Sequence, residues 1–154
     1  MKILYIEDNA VNLSLIERIA QMNRHELLSH DEAEVALETL AQDASIDLIL
    51  LDIQLAGDMD GIGLAKALRA RGDQRPIIAI TAYAMVGDKE RILAAGCNEY
   101  LPKPLPIAEF LQLLAKYDPA QRPRPAAAST PEMAPVPVVL PATRRKPAGR
   151  SACR

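Results

Sequence analysis

Cysteine is nearly absent: Cys97 and Cys153 are the two in 154 residues. That makes no disulfide framework and no zinc-ligand spacing, and Cys97 reads as a small buried residue rather than a reactive thiol. Histidine is as scarce. His25 and His30 fall around one short segment away from the acidic residues discussed below, so neither is expected to carry a phosphoryl group. No apolar run is long enough to span a bilayer. The chain opens with one lysine and then an acidic pair, without the apolar stretch or small-residue cleavage site of an export signal, so a cytoplasmic protein with no membrane span is expected. No Ser/Thr/Gly-rich phosphate loop follows the first apolar run; "EDNAVN" stands there and would repel a bare phosphate, which argues against a mononucleotide binder. No second globular pattern follows residue 117, so no helix-turn-helix output and no direct DNA binding are expected.

What is present is an ordinary globular composition, 49% hydrophobic and 25% charged, with charge divided unevenly. Residues 1–117 hold 11 Lys and Arg against 18 Asp and Glu, whereas residues 118–154 hold 7 against 2. Eight of the 12 prolines fall in the last 36 residues, among Ala, Arg, Ser and Thr. Such a segment buries too little apolar surface to offset the entropy of ordering it. One domain over 1–117 and a disordered Pro/Ala/Arg-rich tail over 118–154 are therefore expected. The tail contains an apolar island, "VPVVL", and a basic stretch, "TRRKPAGR", whose role the sequence leaves open.

Within 1–117, "KILYI" (2–6), "DLILL" (47–51) and "PIIAI" (76–80) are short apolar runs of the kind that form strands covered on both faces. Segments with helical spacing alternate with them. Val11, Leu15 and Ile19 mark the first; Ala36, Leu37, Leu40 and Ala41 mark the second, with Asp31 offered as its N-cap and Glu34 three residues on. Ala65 and Leu68 mark a third, which runs into Arg69, Arg71 and Gly72; Ile92 and Leu93 mark a fourth, stopped by Gly96. Ile107, Phe110, Leu111 and Leu114 define a fifth. Weaker strands near 26–29 and 98–101 complete five βα units, which predicts an α/β, doubly wound, parallel sheet with right-handed crossovers.

Ligands of such sheets bind beyond the carboxyl ends of the strands. The first strand ends in Glu7 and Asp8, the third in Asp52 and the fourth in Thr81, and the fifth runs into Lys103. Lys103 sits between Pro102 and Pro104, which restrict its backbone and aim the ammonium at the carboxylates. Three carboxylates gathered in one cleft repel unless cations join them. Lys103 is one such cation; all-oxygen ligands with room for water suit Mg²⁺ as a second. The cleft is suited to a dianionic phosphoryl group, with a carboxylate as its nucleophile. Asp52, alone at the end of the most apolar strand, is the candidate nucleophile, while Glu7 and Asp8 are better placed to hold metal.

In order and spacing, "ILYIEDNAVN", "LLDIQL", "DG" at Asp60-Gly61, "ITAYAM" and "AGCNEYLPKP" resemble a response-regulator receiver domain, over residues 1 to about 117. The resemblance implies a (βα)5 fold of flavodoxin-like strand order 2-1-3-4-5. It implies that Asp52 is phosphorylated by a sensor histidine kinase or a histidine phosphotransfer protein, and that Glu7, Asp8, Asp52 and the backbone carbonyl of Gln54 hold Mg²⁺, with Mn²⁺ as a substitute. Thr81 and Lys103 would contact the phosphoryl oxygens, with the Lys103–Pro104 bond cis. Tyr100 would be the switch aromatic that moves with Thr81 to remodel a face for a downstream target protein. On this reading the chain is a signalling phosphoacceptor, not an enzyme acting on an outside substrate. The alternative is a receiver-like interaction module that works without phosphorylation. An aspartyl-phosphate hydrolase would usually carry a second Asp two residues after the nucleophile, where Gln54 stands. One departure from the family pattern is "QLAGDMDG", which lacks the usual proline and holds one extra residue, changing the lip above the site. Tyr83, two residues after Thr81, is expected to slow hydrolysis of an acyl phosphate.

Overall fold

Five strands and five helices alternate along the chain in a computed structural model that describes residues 1–82 and 85–121. They are β1 (Lys2–Ile6), α1 (Ala10–Met22), β2 (Glu26–His30), α2 (Ala33–Gln42), β3 (Leu48–Asp52), α3 (Gly61–Ala70), β4 (Ile77–Thr81), α4 (Asp88–Ala94), β5 (Glu99–Pro102) and α5 (Ile107–Tyr117). All strand pairs are parallel, in the order β2-β1-β3-β4-β5, so the expected doubly wound architecture is the observed one. The expectations for the tail beyond residue 121, and for Tyr83, lie outside the described residues. Among the described residues no helix is long and apolar enough to cross a membrane.

Side chains of the three central strands alternate between two cores, as strand pleating requires. Leu4, Ile6, Ile49, Leu51, Ile77 and Ala79 face a layer with α2, α3 and α4, while Ile3, Tyr5, Leu48, Leu50, Ile78 and Ile80 face one with α1 and α5. Burial on both faces explains why these strands are apolar throughout rather than alternating. The edge strand β2 and the short β5 are only partly buried, which is why their sequences read weakly.

Several boundaries differ from expectation. β3 and β4 begin and end one residue later than the apolar runs, because Asp52 and Thr81 are themselves ladder residues, opposite Ile80 and Pro102. The N-cap of α2 is Glu32, without a side-chain cap bond, rather than Asp31. On α1 the inward residues are Ile16, Ile19 and Ala20, while Val11 and Leu15 are exposed; on α5, Phe110 and Leu114 are buried, while Ile107 and Leu111 point outward. Ala41 and Leu93 are exposed as well.

The turn into α3 shapes the end of β3. Asp60 caps α3 by accepting the Gly63 N–H at 2.7 Å, and the Gly61 N–H donates to the Ile53 carbonyl at 3.1 Å. A Cβ on Gly61 would lie 2.3 Å from the Asp52 carbonyl oxygen and 2.7 Å from Ile53 Cα, so only glycine lets the helix approach the strand end this closely. At the opposite end of the sheet, Arg69 of α3 donates to the Gly96 carbonyl (3.0 Å) and Asn98 Oδ1 (2.9 Å), tying α3 to the turn before β5.

Candidate phosphoacceptor site

Parallel pairing in register brings the carboxyl ends of β1, β3, β4 and β5 to one edge of the sheet, and the charged residues at those ends meet there. Lys103, just past β5, places Nζ 2.8 Å from Glu7 Oε2 and 2.8 Å from Asp52 Oδ2. The Lys103–Pro104 bond is cis, as the resemblance implies, and the Lys103 N–H donates to the Thr81 carbonyl at 2.8 Å. Asp52 is held on its other oxygen by the Gln54 N–H, at 2.9 Å. Asp8 is exposed and accepts the Ala56 N–H at 3.3 Å from the loop after β3.

Glu7 is the most enclosed of the three acids, its side chain 1% exposed. Besides Lys103, its Oε2 accepts from the Tyr5 hydroxyl at 2.7 Å and Asn12 Nδ2 at 3.2 Å, and its Oε1 accepts the Asn9 N–H at 3.1 Å. Burial disfavours its charge, but the bonds from Lys103, Tyr5 and Asn9 outweigh that and keep Glu7 below the usual carboxylate range. Asp52 goes the other way. Burial, reinforced by the nearby negative charge of Glu7, lifts it above the ordinary value despite Lys103 and the Gln54 N–H. Burial alone would lower Lys103, yet its bonds to Asp52 and Glu7 leave it raised, so the ammonium is charged. Burial and the bond to Glu7 hold the Tyr5 hydroxyl well above its usual range, as a donor.

One carboxylate oxygen each of Glu7, Asp8 and Asp52 lies within 4.8 Å of the others. Hard oxygen donors, without sulfur or imidazole, fit Mg²⁺ rather than zinc, and exposed Asp8 leaves a side on which a divalent ion can keep its waters.

The structure thus brings Glu7, Asp8, Asp52 and Lys103 together. Thr81 is fully buried at the end of β4, next to Ile80, which pairs with Asp52. Tyr100 pairs with Ala79 and packs, partly buried, against the core on the α2, α3 and α4 side. Gln54 is exposed and touches Asp52 through its N–H. His25 lies at the far end of the sheet beside the chain's start, 3.4 Å from the Met1 nitrogen. His30 is nearer the site than its sequence position suggested: its carbonyl accepts the Glu7 N–H at 2.9 Å, although its ring is engaged with Thr39 at 2.8 Å. Burial pushes the Cys97 thiol up to about 11, which suits a packed, unreactive residue. Tyr5 and Asn12 were not among the residues singled out in the sequence. Tyr5 had a legible signal, since a residue two before Glu7 on a strand shares its face; the reach of Asn12 from α1 to Glu7 had none.

A doubly wound sheet with an acidic, lysine-bridged pocket at its carboxyl edge describes receiver domains of two-component signalling. The chain belongs to that family: the response regulator receiver domain matches residues 3–115. Polar-differentiation response regulator DivK of Brucella anthropi is 35% identical over 117 residues, 75% of this chain and 94% of its own. Among solved structures, the receiver domain of a sensor histidine kinase from Pseudomonas aeruginosa, with a magnesium ion in its active site cleft, is 36% identical with a TM-score of 0.67, covering 75% of this chain and 95% of that one. The activated receiver domain of RstA from Klebsiella pneumoniae is 29% identical with a TM-score of 0.70, covering 76% and 97%.

Proposed function

We propose that Asp52 is the phosphoacceptor of a two-component phosphorelay, taking a phosphoryl group from a phosphohistidine of a sensor histidine kinase or histidine phosphotransfer protein. The observation that carries this reading is the single ammonium of Lys103 shared, at 2.8 Å each, between Asp52 and Glu7. An Asp52 oxygen attacks phosphorus, the phosphorus–nitrogen bond to the donor imidazole breaks, and its electron pair leaves with the imidazole nitrogen. Lys103 and the Thr81 hydroxyl bind the phosphoryl oxygens as charge moves onto them, and the Gln54 N–H holds the second Asp52 oxygen in place. Glu7, Asp8, Asp52 and the Gln54 carbonyl are the groups to hold Mg²⁺, or Mn²⁺ in its place. When bound, the ion supplies positive charge that lets a dianion enter a pocket of three carboxylates. A magnesium ion in the cleft of the Pseudomonas aeruginosa relative supports that assignment.

The receiver occupies residues 1–117, with 118–154 outside the chemistry, and the protein works in the cytoplasm. Thr81 and Tyr100 form the switch, changing a face read by a downstream target protein. The test is incubation of the full chain with labelled acetyl phosphate and Mg²⁺. Label on Asp52, lost in Asp52→Asn and on chelation, is expected; Asp52→Asn labelled at the wild-type rate puts the phosphate elsewhere and overturns the assignment, whereas a wild-type chain that takes no label leaves an interaction module that needs no phosphate.

A further inference from the structure

We infer that Tyr5 is a positioning residue for phosphoryl transfer: its hydroxyl secures the Glu7 carboxylate, so that Lys103 is free to leave Glu7 and Asp52 for the incoming phosphoryl oxygens. The inference rests on Asp52 being the phosphoacceptor. Lys103 begins divided between two carboxylates, each 2.8 Å away, and it can meet a third anion only by loosening those bonds. Asp52 gains compensation of its own, because its oxygen becomes part of the new bond. A cation held by the three acids would be shared among them, and Glu7 forms no new bond in the transfer. Its side chain is 1% exposed, and a carboxylate so enclosed is costly without donors.

Tyr5 is suited to keep it satisfied. The residue is 1% exposed and lies on β1 with its ring in the core beside α1 and α5, so the hydroxyl is fixed by packing. Its 2.7 Å bond to Oε2 is the shortest that Glu7 receives, against 3.2 Å from Asn12 to the same oxygen. A cavity of about 120 Å³, lined in part by Tyr5, Asn12, Ile80, Lys103 and Pro104, flanks the lysine. Packed atoms therefore do not enclose the Lys103 side chain on that side. Remove the phenol oxygen, and Glu7 holds the ammonium more tightly because one of its other donors is gone.

Tyr5→Phe keeps the ring and removes that one donor. In the full chain the maximal rate of Asp52 labelling, at saturating Mg²⁺ and acetyl phosphate, is expected to fall about tenfold, the size of a hydrogen bond to a charged group. The acetyl phosphate concentration for half-maximal rate and the Mg²⁺ affinity by titration calorimetry are expected to stay within about twofold, which a general loss of structure would not allow. In a Glu7→Gln background, Tyr5→Phe is expected to add no further loss, since the two act as a unit. Should circular dichroism find Tyr5→Phe unfolded, Asn12→Ala on the surface of α1 tests the same oxygen, with a fall of about threefold expected. A Tyr5→Phe rate equal to wild type, or the same proportional loss with and without Glu7, overturns the role of Tyr5. A wild-type chain that takes no label overturns the phosphoacceptor reading instead.

Discussion

At the scale of single residues, the site spends stability to hold charge together. Asp52 is buried and carries a raised pKa because enclosure and the neighbouring Glu7 both disfavour its anion. The folded state therefore binds a proton at Asp52 more tightly than the unfolded chain does. Stability from this group is present at low pH and lost as pH rises through the folded value, so the full penalty applies at neutral pH. Asp52→Asn removes the charge at nearly constant shape while Lys103 keeps its bond to Glu7, and is expected to raise stability in metal-free buffer. Urea unfolding at pH 7 with chelator checks this; a lower midpoint would mean that the bond from Lys103 outweighs the cost of burial. Lys103, Asp52 and the acidic pair were legible because polar residues ending apolar strands have few structural reasons to be there. Tyr5 carried a signal in its place two residues before Glu7, but a tyrosine among Ile and Leu reads first as core, which for its ring it is.

At the scale of elements, arginines at the floor of the sheet join segments that share no strand pairing. Arg75, between α3 and β4, donates to Asp73 Oδ2 at 2.6 Å, to the Leu40 carbonyl at the end of α2 at 2.5 Å and to the Asp43 carbonyl at 2.9 Å. Burial opposes the charge on Asp73, but the bonds from Arg75 more than offset it and hold the carboxyl below its ordinary range. The unfolded chain takes up this proton first. The contribution is thus complete above the normal carboxylate pKa of about 3.9 and disappears as pH falls through the lower folded value. Asp73→Asn is expected to lower the urea midpoint at pH 7 and to make its decline below about pH 4 shallower than in wild type; parallel curves would refute the linkage. Helix faces were the least legible feature at this scale. Val11 and Leu15 obey helical spacing as well as Ile16 and Ile19 do, and which stripe turns inward is decided by the sheet beneath, which no local spacing encodes. The α2 boundary differs from expectation because Asp31 and Glu32 are adjacent and both acidic, and the Glu32 side chain forms no cap bond that would single it out.

For the molecule as a whole, fold and site were readable from one cause. Fully apolar strands require cover on both faces, cover requires alternating helices, and that topology sends every strand's carboxyl end to one edge. The carboxylates gathered there repel one another, so Mg²⁺ is expected to stabilise the entire domain: at one hundred times its dissociation constant, by about 2.7 kcal/mol. Thermal unfolding with Mg²⁺ and with chelator measures this, and the shift is expected to shrink strongly in Asp8→Asn; equal melting under both conditions would remove the ion from the account. The alternation of the two cores carries a last implication. By strand parity Glu7 and Asp52 follow the residues facing α1 and α5, whereas Thr81 and Tyr100 follow those facing α2, α3 and α4. A group bridging Asp52 and Thr81 would rivet the two sides of the sheet, so that an event at its rim tugs on both sets of helices in one stroke.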